Sequence, residues 1–177
     1  MTPLDALPPL PLTAEQYERL PPIPGLRLEL WEGNLDVAAA AQMAWHTVVG
    51  RIIERVLLHG GQETLREIGV VLGPRTVREP DVTRFRPGVV PALRLSQFPA
   101  DDVDLVVEIV SPESERRDRE VKPDEYAGAG IPEYWIVGQH PDDEADAMIN
   151  MYRLTPAGRY GLARTVSLSE LRDSTGD

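Results

Sequence analysis

The run Asp104-Leu105-Val106-Val107-Glu108-Ile109-Val110, followed by Ser111-Pro112, constrains this chain more than any other stretch. Its β-branched residues and its short length favour a buried strand over a helix, and Ser-Pro closes it. Side chains alternate across a strand, so Asp104, Val106, Glu108 and Val110 share one face, and Leu105, Val107 and Ile109 share the other. Glu108 therefore stands near the C-terminal end of an otherwise apolar strand. An unpaired carboxylate in a low-dielectric interior costs on the order of several kcal/mol, so Glu108 requires a cation, a proton or a hydrogen-bond donor.

Around that strand the pattern predicts a single domain. Residues 1–12 are proline-rich and read as an extended arm, residues 13–166 as one domain and residues 167–177 as an acidic, frayed tail. Thr13-Ala14-Glu15-Gln16 is a capping box opening a short helix that Pro21-Pro22 ends. Leu26 to Trp31 and Leu35 to Val37, joined at Glu32-Gly33-Asn34, form a hairpin with Leu26, Leu28 and Leu30 on one face and Arg27, Glu29 and Trp31 on the other. Apolar residues at 45, 48, 49, 52, 53, 56 and 57 follow the helical period and give the clearest helix, stopped at Gly60-Gly61.

Ile68 to Leu72 reads as a short strand, and Val77 to Phe85 as another, with Pro80 marking an edge, a bulge or a strand start. Pro87 to Pro99 is expected to be a loop and Ser111 to Val121 a charged connection. A helix follows from about Lys122 to Ala127, then a strand at Glu133 to Val137 and a hairpin from Met148–Leu154 and Tyr160–Val166. The fold class is α/β in the mixed α+β sense: a mixed central sheet flanked by helices, with an N-terminal helix and hairpin.

Composition narrows the function. With 177 residues and 42% apolar content, one core is adequately supplied. There is no cysteine, which removes disulfides, thiolate zinc sites and thiol nucleophiles, and the absence of a signal-like start or an apolar membrane run leads us to expect a cytoplasmic protein with no membrane partner. The net charge of −11 argues against nonspecific nucleic-acid binding by the whole surface. The charge is uneven, though: between Arg75 and Arg94 five arginines stand against two acids, while from His140 onward seven acids stand against four arginines. The former stretch is a candidate basic face.

Asp81 and Glu108, on neighbouring strands, together with Lys122 on the following helix, are the parts of a metal-dependent phosphodiesterase. Two convergent carboxylates hold a hard divalent cation through oxygen, the cation lowers the pKa of water and neutralises charge on phosphate, and an ammonium group stabilises the transition state. Spacing alone does not specify this, because any Asp, Glu and Lys on three elements would satisfy it. A glycosidase built on two carboxylates is disfavoured, since aromatic residues make up only 6% of the chain and the lysine would be idle.

The ordered blocks Leu28-Glu29-Leu30 before a Gly turn, His46 near a helix start, Glu79-Pro80-Asp81-Val82, Leu105 through Ser114, Arg117 through Lys122 with Tyr126, and Gly130 through Val137 resemble the Uma-two family of restriction endonucleases, within the PD-(D/E)XK nuclease superfamily. The resemblance covers roughly residues 13 to 166. It implies a restriction-endonuclease-like core with Mg2+ or Mn2+, in which Asp81 and Glu108 are the catalytic acids and metal ligands and the Ile109 carbonyl adds a ligand. Lys122 is the lysine supplied from a helix, since Val110 occupies the usual position two residues after the acid. Glu29 is implied as a further catalytic acid, near the metal or bracing Lys122, and His46 as a contact to substrate. The charged run itself offers Arg117 and Arg119 as contacts to phosphate, the alternative being a solvated loop. Gly138 stands where the family commonly has Asp after its Tyr-Trp strand, read here as a loop change. A homodimer is expected, and the alternative is a catalytically silent nuclease-fold dimer acting as a nucleic-acid-binding or regulatory module.

Overall fold

A computed structural model describes residues 9–39 and 44–174, so most of the expected arm and the last three residues of the tail lie outside the described residues. Among the described residues, eleven strands form two sheets. The first has the order β2-β1-β5-β4-β7, from β1 (Leu26–Trp31), β2 (Asn34–Ala39), β4 (Gly69–Gly73), β5 (Thr76–Arg78) and β7 (Gln97–Pro99). The second has the order β11-β10-β9-β8-β6-β3, from β3 (Thr64–Arg66), β6 (Val82–Phe85), β8 (Val103–Ile109), β9 (Glu133–Gln139), β10 (Ala147–Leu154) and β11 (Tyr160–Ser167). Both are mixed: β8 runs parallel to β9 but antiparallel to β6, and β4 runs parallel to β7 but antiparallel to β5.

The apolar residues of β8 divide between two cores as strand alternation requires. Leu105, Val107 and Ile109 pack with Ile53 and Leu57 of α2 (Ala44–His59), and with Leu168 of α4 (Leu168–Asp173). Val106 packs instead with Tyr126 of α3 (Lys122–Gly128), with Tyr134, and with Val70 of the first sheet. A third core joins Leu28, Leu30 and Val77 to Tyr17 of α1 (Ala14–Glu18) and to Leu12. Thr13 and Gln16 form the expected capping box of α1. Leu12, assigned to the arm from sequence, is fully buried, and its N–H bonds to the Gly33 carbonyl at 2.8 Å.

Several expectations change. The segment expected to be one strand, Val77 to Phe85, is two strands in different sheets, because Pro80 has no N–H to continue a ladder and the chain crosses there from one sheet to the other. The loop 87–99 ends in β7, and β3 had no distinct apolar signal. The tail forms α4, opened by a capping box of Ser167 and Glu170 that was not read from sequence. The charged connection before Lys122 is helical: Arg117–Val121 form a π-helical turn running into α3. The α2 stripe is narrower than its periodicity implies, since Val48 is 53% exposed. No described helix is long and apolar enough to cross a membrane.

Candidate active site

The crossover at Pro80 determines where Asp81 lies. The β6 and β8 register pairs Val82 with Val107 and Thr83 with Val106, so Asp81, one residue earlier, stands across from Glu108 on the face covered by α3. The Ile109 N–H donates to Asp81 Oδ2 at 2.6 Å, fixing the carboxylate to the end of β8. Arg27 Nη1 donates to Asp81 Oδ1 at 2.9 Å, and His46 Nε2, from the start of α2, lies 3.5 Å from Oδ2. Burial opposes charge on Asp81, but the His46 bond, the Arg27 charge and the Ile109 N–H outweigh it and hold the carboxyl down at about 2.

Glu108 is wholly enclosed, 1% exposed, and one of its oxygens is doubly bonded: Oε1 accepts from Lys122 Nζ at 2.9 Å and from the Tyr126 hydroxyl at 2.6 Å. Burial dominates its ionisation and, aided by the negative charges of Asp118, Asp81 and Glu29, pushes the carboxyl up to about 8 although Lys122 pulls the other way. Lys122 is raised. Burial works against its charge, and Glu108, Glu29 and Asp118 overcome that, so the amine keeps its proton. Its Nζ stands 3.2 Å from Glu29 Oε1 and 3.2 Å from Asp118 Oδ1. The latter approach is close without hydrogen-bond geometry, which leaves Asp118 Oδ1 buried and without a hydrogen-bond partner.

Glu29 connects this cluster to the first sheet. It projects from the face of β1 opposite Leu28 and Leu30, and the register places Asp36 directly beside it on β2. Arg78 Nη1 donates to Glu29 Oε2 at 3.0 Å, and the Glu79 N–H donates to Oε1 at 3.0 Å. Burial disfavours ionised Glu29, yet Lys122, Arg27 and Arg78 hold it at about 2. The buried guanidinium of Arg78 also grips Glu125 of α3 through two bonds of 2.7 and 2.9 Å. Paired forks of this kind are among the stronger polar contacts in proteins. In this way α3 is tied to both sheets, to the first by Glu125 and to the second by Lys122.

Asp81, Glu108, Lys122 and Glu29 thus meet in one buried cluster, with His46 at its rim. Ile109 contributes its N–H to Asp81, a contact different from the carbonyl role expected of it. Arg119 stands apart from this cluster, whereas Arg117 reaches its edge through Asp36, whose Oδ2 also lies 3.6 Å from Arg78 Nη1. Arg117 bonds Asp36 at 2.6 Å, and Arg119 bonds Glu115 one helical turn away at 3.3 Å. The basic stretch from 75 to 94 is partly internal, since Arg78 is buried and Arg84 is paired with Asp104 at 2.8 Å. Sequence reasoning passed over Arg27 and Arg78. Arg27 carried a signal, because alternation already placed it on the same face of β1 as Glu29; Arg78 carried none, since its partners come from distant segments.

Among the described residues no group of three or more His, Cys, Asp or Glu side chains is arranged to hold a metal ion. A magnesium-type ion needs no such cage, because it is commonly held through one or two carboxylates with water and phosphate oxygens completing its shell. Asp81 and Glu108 offer hard carboxylate oxygen donors on one face of the second sheet. The donor set fits a hard divalent cation.

The chain matches the model of the Uma-two family, described as "Putative restriction endonuclease", over residues 14–175. Among solved structures, its fold is similar to that of a protein from Anabaena variabilis described as a "putative nuclease belonging to DUF820", with a TM-score of 0.64, 16% sequence identity, and coverage of 93% of this chain and 99% of the other. No curated protein matches the chain.

Proposed function

The chain belongs to the Uma-two family, and from that premise we propose that it is a metal-dependent endonuclease hydrolysing phosphodiester bonds of DNA with Mg2+ or Mn2+. The observation that carries this reading is the meeting of Asp81, Glu108 and Lys122, from three separated segments, on one face of the second sheet. When bound, the divalent cation supplies an acidified water as nucleophile and neutralises charge developing on the phosphate.

The chain's own residues do the rest. Asp81 and Glu108 would hold the cation, Asp81 fixed by the Ile109 N–H and Glu108 oriented by the Tyr126 hydroxyl. Lys122 retains its proton, so it acts as a hydrogen-bond donor that steadies the attacking water and the charge growing on phosphate oxygen, not as a base. Glu29 fixes the ammonium, and Arg78 fixes Glu29. His46 stands 3.5 Å from Asp81 at the rim of the cluster, and in this reading it contacts the substrate. We read the protein as cytoplasmic and as a two-fold homodimer, the commonest closed assembly; equilibrium sedimentation tests the latter.

The experiment is cleavage of supercoiled plasmid with Mg2+ or Mn2+, with EDTA as control. Cleavage that requires metal and is lost in folded D81A, E108A and K122A supports the assignment. The net charge of −11 favours a second reading, a catalytically silent binding or regulatory module. Metal-independent DNA binding without cleavage, unaffected by those substitutions, would establish that reading instead.

A further inference from the structure

Arg27 has a place in the site that the hydrolytic roles do not use. Its Nη1 holds Asp81 Oδ1 at 2.9 Å, its Nη2 donates to the Glu79 carbonyl, and its Nε lies 3.9 Å from Glu79 Oε2. That Nε is buried and has no hydrogen-bond partner. Both oxygens of Asp81 are engaged, Oδ2 by the backbone N–H of Ile109 and Oδ1 by Arg27. His46 Nε2 also lies 3.5 Å from Oδ2. The Ile109 N–H is fixed in the chain at the end of β8 and the His46 approach is the longer one, so Arg27 is the close side-chain partner that can leave. It is also the competing positive charge.

Arg27 and Glu79 line a cleft of about 430 Å3 whose other walls include Tyr17, Pro21, Pro22 and Gln97. The cleft gives the guanidinium room to turn without rebuilding the core. A guanidinium with an unfilled donor is suited to a phosphate oxygen pair, which takes two parallel N–H bonds from the same fork.

We propose that Arg27 is an exchangeable latch: it neutralises Asp81 in the free protein, and moves to a backbone phosphate of DNA when the divalent cation takes the carboxylate. This rests on the endonuclease reading of the same site. Cation and DNA then bind cooperatively, because each frees or engages the group the other requires. The cation alone binds weakly, since the open position of Arg27 is a minor one.

Calorimetric titration with Mn2+ alone, and with Mn2+ in the presence of a short uncleaved phosphorothioate duplex, tests the latch. R27Q is expected to bind Mn2+ alone about tenfold more tightly than wild type, the gain expected if the open position holds roughly a tenth of the population. It is also expected to lose the tightening by DNA. R27K keeps the charge but not the fork, so Mn2+ alone binds as in wild type while the tightening by DNA shrinks. Equal or weaker Mn2+ binding by folded R27Q overturns the latch; should R27Q not fold, undiminished coupling in R27K overturns it. D81A separates the two readings. If D81A abolishes Mn2+ binding and R27Q matches wild type, only the latch falls; if D81A binds Mn2+ as wild type does, the metal site falls and the latch with it.

Discussion

The two faces of β8 were built from one heptapeptide and came out opposite in character. Leu105, Val107 and Ile109 lie in a dry core with Ile53 and Leu57 of α2, where every contact is replaceable by another of similar volume. On the other face Val106 keeps company with Tyr126 and Tyr134, but Glu108 lies in a buried set of charges joined to Lys122, Glu29 and Asp118. Apolar packing is forgiving because it is non-directional. A buried charge cluster is not, because removing one member strands the others in low dielectric. The first face holds the sheet together, and the second carries the buried charges that the endonuclease reading calls on.

The sharpest way to break that contrast is Lys122→Ala. It strands the carboxylates of Glu29 and Asp118 and removes a hydrogen-bond donor from Glu108, so it is expected to cost about 3–5 kcal/mol in urea unfolding. Cleavage measured under conditions where the variant is folded is expected to fall about 10²–10³-fold, the scale of one lost charge-stabilising donor. A loss of stability under about 1 kcal/mol would mean that the charges are solvated and the two faces alike.

Glu108→Gln sharpens it by pH. The folded carboxyl is raised to about 8 from an ordinary value of 4.5, so the folded state binds its proton more tightly than the unfolded chain, and stability is lost as pH climbs from about 4.5 through 8. Glutamine does not titrate. E108Q is therefore expected to gain on wild type between pH 5 and pH 8 by an amount on the order of a few kcal/mol, read from urea midpoints, while cleavage and Mn2+ affinity collapse. A stability difference that is flat with pH would contradict the enclosure of Glu108. Asp81 and Glu29 have the opposite sign. Held at about 2, they contribute stability above the normal carboxylate range that is lost as the solution is acidified toward pH 2.

Smaller effects complete the comparison. Tyr126→Phe removes one bond to Glu108 and is expected to cost about 1–2 kcal/mol with a measurable loss of cleavage. Ile53→Val, on the dry face, is expected to cost about 0.5–1.5 kcal/mol and leave cleavage unchanged. If Ile53→Val lowered cleavage as much as Tyr126→Phe, the division of labour between the faces would fail.

The same difference explains what was legible in the sequence. Alternation in 104–110 gave the strand and its two faces, and the period of 45–57 gave α2, because burial of apolar surface leaves a local repeat. Residue type and order made Asp81, Glu108 and Lys122 candidates, family resemblance singled them out from other acids and lysines and added Glu29, and their meeting required the crossover at Pro80, which local pattern reads only as an interrupted strand. Arg78 stayed hidden because its partners Glu29 and Glu125 are far away in sequence, and charged pairs of that kind follow no period. The π-helical turn that precedes Lys122 was hidden too, since dense alternating charge over 115–120 looks like a solvated loop until Tyr134 is seen bonding the Asp118 carbonyl at 2.6 Å. For α4 the signal was present in Ser167 and Glu170 and lost among the acidic residues around it.

The most direct test is anomalous scattering from a crystal soaked in Mn2+. A manganese peak within bonding distance of both Asp81 and Glu108, with Lys122 alongside and absent from a D81A crystal, is the expected result. A fully occupied manganese site elsewhere on the chain, with Asp81 and Glu108 untouched at saturating metal, would contradict a metal-dependent hydrolytic centre at this face of the sheet.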